Sequence, residues 1–335
     1  MQSCPRIVAF VLLLVSCASS GWSMALSDPL EVSVDKGAAL FKQRRYREAI
    51  QEFDRAIDSN PKFAGAYGLR GLAYAEIGAY KKAMEDSDQA LRLDPDLAGA
   101  YGCRCRVYLR LADYKKALND CDQAIRLDPH DAPAHLDRGL AHSKLGERQK
   151  AIDDFSEAIH LNSGDAIAYY NRSLEYGLVG QNEQALKDSE QAIKLDPDDA
   201  HGYAARGVTY LSSSDFVKAI QDYDKAIELN PKFAPAYFDR GRAYGGMGDF
   251  HRALQDFDEA VRLDPREARI YVGRGLARLE LGHSDQAVKD FSRALGLDPQ
   301  SKEALYFRAD AYEKLGKHDL AAKDSEKAKT PGQSR

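Results

Sequence analysis

Apolar positions along residues 30–331 recur with two nested periods. Within short stretches they fall three or four residues apart, the spacing that places side chains on one face of an α-helix. Around residue 200, Tyr203, Gly207 and Tyr210 share one face; after a polar break, Ser212-Ser213-Ser214-Asp215, Ala219, Tyr223 and Ala226 share another. This pair of stretches returns every 34 residues. Pro61, Pro95, Pro129, Pro197, Pro231, Pro265 and Pro299 all stand on that grid, and Ser163 occupies its one internal gap. Leu-Asp-Pro or a variant closes most copies, where proline stops a helix from continuing. The pattern predicts helix pairs. A fixed period of this length predicts stacked copies of one unit rather than a globular domain around a buried catalytic centre. Counted from Leu30, nine units follow, at 30–63, 64–97, 98–131, 132–165, 166–199, 200–233, 234–267, 268–301 and 302–335. The last is a degenerate cap that gives out by Pro331, leaving a tail at 332–335.

Large and small residues alternate in a way that explains how each pair packs. Gly71, Gly139, Gly207, Gly241 and Gly275 let the first helix approach the second, and alanines from Ala83 to Ala321 do the same from the other side. Tyrosines such as Tyr67, Tyr101, Tyr74 and Tyr108 fill the space between and read as core residues. A cation precedes the glycine slot in every unit: Lys36, then arginine at 70, 104, 138, 172, 206, 240, 274 and 308. Sixteen residues later stands an acid, Glu52 in the first unit and aspartate from Asp86 to Asp324 in the others. An antiparallel helix pair brings these slots together, so a ladder of bidentate arginine–aspartate pairs is expected. The spacing leaves open whether each pair lies within a unit or across a junction.

The N-terminus departs from the repeats. A short start with Arg6 precedes the apolar run Ile7–Val15, too short to span a bilayer and fitting a secretory leader. Leu14-Val15-Ser16-Cys17 resembles the lipobox of bacterial lipoproteins, implying a signal peptide at 1–16, lipid attachment at Cys17 and a flexible tether at 17–29. Cleavage after Ser23-Met24-Ala25 is the competing reading, giving a soluble periplasmic or secreted protein.

The repeats themselves resemble the tetratricopeptide repeat family, over about 300 residues from Leu30 to Pro331. The resemblance implies an all-α right-handed superhelical solenoid of helix-turn-helix repeats. It places first helices along a concave groove that binds a partner protein or peptide. The groove slots of the fourth to sixth units hold Leu136, Leu140, Tyr170, Leu174, Leu178, Val208 and Leu211, an apolar stripe. Arg106 and Arg110 flank it on one side and Arg242 on the other. Such a surface suits an amphipathic helix or an apolar segment with acidic ends. The same slots touch neighbouring first helices, so packing is the competing account of Leu140, Leu174 and Val208. Family members that clamp a C-terminal carboxylate use lysines and asparagines; the comparable slots here, Leu72, Arg106, Leu140 and Leu174, do not match. Gly65, Gly68, Gly99 and Gly102 on this side, and Gly245-Gly246 near the end of a first helix, fit close backbone approach to a ligand, but close approach between adjacent first helices or fraying is the expected account.

Little else suggests chemistry. Charged residues make up 30% of the chain with a formal net charge of −5, both signs interspersed, so no basic patch points to nucleic acid. Cys105 and Cys121 occupy facing slots of the third unit, where a disulfide or two buried thiols are equally conceivable; Cys103 is expected on the outer side, left over. His135 and His142 stand seven apart, not the four of a helical zinc pair, and read as substitutes for tyrosine. Asp153-Asp154 and Asp198-Asp199 read as solvated. No nucleophile motif or phosphate loop is present, and neither metal nor cofactor is implied. The expectation is a non-enzymatic scaffold of the bacterial cell envelope, an outer-membrane lipoprotein facing the periplasm. A self-assembling structural envelope protein is the alternative.

Overall fold

A computed structural model describes residues 28–329. The leader at 1–16, Cys17, most of the tether and the tail at 332–335 lie outside the described residues. Every regular element among those described is an α-helix. They form two compact bodies, one ending at Gly180 and one beginning at Gln181. The N-terminal body holds α1 (Pro29–Lys42), α2 (Tyr46–Ser59), α3 (Ala64–Glu76), α4 (Tyr80–Leu93), α5 (Ala98–Arg110), α6 (Tyr114–Leu127), α7 (Ala132–Lys144), α8 (Arg148–Leu161) and α9 (Ala166–Leu178). The C-terminal body holds α10 (Asn182–Leu195), α11 (Ala200–Ser212), α12 (Phe216–Leu229), α13 (Ala234–Gly246), α14 (Phe250–Leu263), α15 (Ala268–Glu280), α16 (Ser284–Leu297), α17 (Lys302–Lys314) and α18 (His318–Lys329). Within each body a helix packs on its pair mate, on the next helix in sequence, and, where it opens a repeat, on the first helix of the neighbouring repeat. This is the all-α solenoid arrangement that the period predicts.

Two turn chemistries set the helix ends. Between repeats, the residue before the proline leaves the helix with extended backbone, as at Asp94 (φ −141°, ψ 97°), because proline disfavours an α conformation just ahead of it. Its side chain accepts a hydrogen bond from the backbone N–H two residues on: Asn60 from Lys62, Asp128 from His130, Asn230 from Lys232. Asn162, followed by Ser163 instead of proline, has the same backbone (φ −140°, ψ 87°) and the same bond, from Gly164. The Asx turn holds this junction without the proline ring. Within repeats, first helices end on a residue of positive φ, glycine at six junctions including Gly78 (φ 76°) and Gly146 (φ 77°). Arg44, Ala112 and Ser214 take the same conformation without that freedom.

The small-residue slots work as the pattern predicts. A Cβ built on Gly139 would stand 2.7 Å from the Phe155 ring, and one on Gly275 2.6 Å from Phe291. In the third repeat this space holds the bonded sulfurs of Cys105 and Cys121, with Cα atoms 5.4 Å apart and both residues fully buried. Cys103 is not on an outer side: it is fully buried among Leu69, Leu72 and Val107. Two residues from Cys105 on a helix, it faces the opposite way, and that direction is occupied by the neighbouring first helices rather than by water. Burial pushes its thiol up to about 11. Asp154 is likewise buried, not solvated, whereas Asp153 is exposed.

Candidate partner-binding face

The charged ladder is built, and it answers the question the spacing left open. In the N-terminal body Arg70 of α3 grips Asp86 of α4 bidentately at 2.8 and 2.7 Å, and its third nitrogen reaches Asp54 of α2, in the preceding repeat, at 2.6 Å. Arg104 holds Asp120 and Asp88, and Arg138 holds Asp154 and Asp122, in the same way. In the C-terminal body Arg240 joins Asp256 to Asp224, and Arg274 joins Asp290 to Asp258. Where the preceding repeat offers serine, the contact survives: Arg172 reaches Ser156 Oγ and Arg308 reaches Ser292 Oγ, each at 3.0 Å. Arg70, Arg104, Arg138, Arg240, Arg274 and Arg308 therefore pair within their own repeat and also cross the junction, while Arg206 grips Asp222 of its own repeat. Hydrogen bonding to Asp86, opposed by burial and reinforced by Asp54, holds Arg70 above its ordinary pKa. These guanidinium groups stack on tyrosine as well, Arg274 over Tyr271 at 5.4 Å. Their donors are spent on the protein itself.

The histidines take over tyrosine roles. Tyr67, Tyr237 and Tyr271 donate to the carbonyls of Pro61, Pro231 and Pro265. His135 places Nε2 3.1 Å from the Pro129 carbonyl, the same junction bond made with a ring nitrogen. His142 Nδ1 meets Glu147 at 2.5 Å. No group of three or more His, Cys, Asp or Glu suited to a metal ion exists among the described residues.

First helices contact one another in turn, α3 with α5 and α5 with α7 in one body, α11 with α13 and α13 with α15 in the other. The sequence-predicted site residues lie on these helices and on α9, but in different environments. Leu136 is 1% exposed and belongs to the core around Phe155. Leu140 packs half-buried on the same core, and Tyr170 and Leu174 are half-buried on α9. Leu178, at 57% exposure, and Arg110 stand open to solvent. Arg106 turns inward, between Asp137 at 3.0 Å and Glu76 at 3.5 Å. It borders a cavity of about 30 Å³ with Gly99, Gly102, Cys103 and Asp131. Burial pushes Asp131 up to about 6. In the C-terminal body Val208 and Leu211 pack half-buried against the core around Tyr223. Arg242 is exposed, donates to Asp239 at 2.8 Å and lies over the Phe238 ring at 5.8 Å.

One feature escapes the stripe altogether. Between α13 and α15 opens a cleft of about 350 Å³, floored by Phe250, Ala253, Phe257, Leu276 and Ala277, with Arg242 and Glu280 on its border. Gly245 and Gly273 line it. Gly246 is explained by close approach, since a Cβ there would fall 2.6 Å from Phe216; a Cβ on Gly245 would meet nothing within 4 Å. The signal lay in the repeat alignment. The slot of Gly245 is Leu211 and Leu279 in the flanking repeats, and the slot of Gly273 is Phe307 in the next. The side chain omitted at Gly245 leaves the space, whereas a Cβ on Gly273 would fall 2.8 Å from the Phe257 ring, so that glycine serves close approach.

Family models described as tetratricopeptide repeat match residues 106–174 and 208–272, and residues 34–98, 170–232 and 272–333. None of the curated proteins compared matches the sequence. Among solved structures the chain is similar to the one titled APC/C hetero-tetramer Cut9-Hcn1, with TM-score 0.69 at 19% identity. That alignment covers 83% of this chain and 55% of the other, so the chain spans about half the length of that relative. It is similar too to a tetratricopeptide repeat protein from Parabacteroides merdae, with TM-score 0.59, 18% identity, 77% of this chain and 98% of that one. At such identities the likeness is one of fold.

Proposed function

Because the chain belongs to the tetratricopeptide repeat family, whose members bind protein or peptide partners, we propose that it is a non-enzymatic scaffold that recruits another protein through its first-helix faces. The observation that carries this reading is the division of labour among its charged groups. Ladder arginines and aspartates are bound to one another, leaving exposed first-helix residues such as Leu178 and Arg110 to meet a partner. An exposed apolar group and an exposed cation on first helices of one body are fitting contacts for an amphipathic segment with acidic ends.

The cell envelope is the proposed location. The apolar run Ile7–Val15 and the Leu14-Val15-Ser16-Cys17 box support export with lipid attachment at Cys17, and the Cys105–Cys121 bond agrees with an oxidising compartment. A crosslinked pull-down from the source organism's envelope, comparing the wild-type chain with Leu178→Glu and Arg110→Glu, tests the reading. Both positions are exposed, so both variants should fold. Capture of the same protein by wild type, with clear loss in either variant, supports a partner on the α5–α9 face. Equal capture by all three places the contact elsewhere, and recovery of the bait alone favours self-assembly.

A further inference from the structure

We propose that the cleft between α13 and α15 is a socket for one aromatic or long apolar side chain of a partner segment, with a lysine or arginine next to it in that segment. The proposal rests on the scaffold reading above and names the chemistry of what is bound.

Gly245 omits the leucine side chain that both flanking repeats supply, and the cleft beside it is about 350 Å³. Pockets that bury a ligand group begin near 300 Å³. Packing does not require the omission at Gly245, because its Cβ position is empty. Glycine costs a helix up to about 1 kcal/mol relative to alanine, and less in the last turn, where Gly245 stands. A helix that gives this up with no steric need keeps a space open. The floor is aromatic and aliphatic: Phe257 is 4% exposed, and its ring lies 5.9 Å from that of Phe238. Such a lining receives an apolar group and offers nothing to a free anion or a sugar.

The two ionised groups on the border are not equivalent. Arg242 is already matched by Asp239 and stacked on Phe238, which Arg269 covers at 5.8 Å. Glu280 is exposed and has no ion-pair or hydrogen-bond partner among the described residues. The uncompensated charge at the mouth is therefore negative, and it favours a cation beside the inserted side chain. The chain's own segment at 17–28 carries Trp22 but neither lysine nor arginine, so charge argues for a separate protein as the occupant.

The experiment selects random displayed peptides on the full chain and measures the enriched peptides against Gly245→Leu, Glu280→Gln and Leu178→Glu. Peptides bearing Trp, Phe, Leu or Met next to Lys or Arg should emerge. Gly245→Leu fills the socket and should weaken them about a hundredfold, the scale of a lost buried anchor, while its thermal melting point holds or rises. Glu280→Gln, at an exposed position, should weaken them several-fold with an unchanged fold and serves if Gly245→Leu fails to fold. Peptides that bind Gly245→Leu and Glu280→Gln as tightly as wild type overturn the socket. If those same peptides are lost on Leu178→Glu, the scaffold reading survives without it. Absence of any enriched peptide counts against both. Concentration-dependent self-association abolished by Gly245→Leu would make a second copy the occupant and overturn the proposal as stated.

Discussion

Tyr223 stands where four other repeats carry phenylalanine, at 53, 155, 257 and 291. It is fully buried, and its hydroxyl has no hydrogen-bond partner. A buried unpaired hydroxyl costs about 1–3 kcal/mol. Tyr223→Phe should therefore raise stability by about 1 kcal/mol; a lower melting temperature than wild type would show that the hydroxyl is satisfied. Asp131 is a second residue whose burial has a readable consequence. Desolvation lifts its carboxyl from 3.8 to about 6, opposed by the Ala134 N–H and Arg106. Between these values the folded chain holds a proton that the unfolded chain has released. Stability from this group is thus fully present below pH 4 and is lost as pH rises through about 6. Asn caps a helix as well as Asp does, so Asp131→Asn should melt like wild type near pH 4 and above it at pH 7.5. Urea titrations of both at the two pH values check the sign. The opposite order would mean that the ionised carboxylate is favoured by the fold.

Between helices, the arginine slot decides how one element sits on the next. Asp222 is buried and Arg206 is about one-quarter exposed, joined at 2.7 Å. Arg206→Gln leaves a buried carboxylate without its partner, so it should cost more than Asp222→Asn, which leaves a cation able to reach water. The double variant should cost less than the sum by about 1–3 kcal/mol, the coupling expected of contacting charges. Additive losses in a denaturant cycle would remove the pairing from the account. This ladder was legible because cation and acid recur at one offset in every repeat, and helix pairing turns a constant offset into contact. Turns were legible for a similar reason, although proline was the visible mark and the Asx bond the working part, as Asn162 before Ser163 shows. Arg106 was read as a groove cation yet points into a cavity. Its direction is set by Asp137 and Glu76 on two other first helices, and no single repeat contains all three. Cys103 was misplaced for the same reason: the neighbour that buries it comes from adjacent repeats.

At the scale of the molecule, periodicity reveals what repeats share and hides what one repeat lacks. The helix count, the pairing and the family follow from the shared slots. The cleft beside Gly245 follows from one missing side chain on α13, and it faces α15, where Gly273 lets the Phe257 ring approach closely. Exposed apolar residues such as Leu178 and Tyr306 are also local departures, and function in a repeat array is written in such departures while stability is written in the consensus.

The double grip of ladder arginines such as Arg70 also bears on how such a chain can change over generations. Arg70 reaches sixteen residues forward to Asp86 and sixteen back to Asp54. Adding or deleting one codon within a helix between those points would break one grip and rotate the rest of that helix by about 100°. Within each body, then, length can be inherited stepwise only as whole modules, copied or lost by recombination at equivalent points. Point substitutions remain free on the faces the clamps do not use. A lineage could lengthen its array or recut its sockets, but not shift it by a residue.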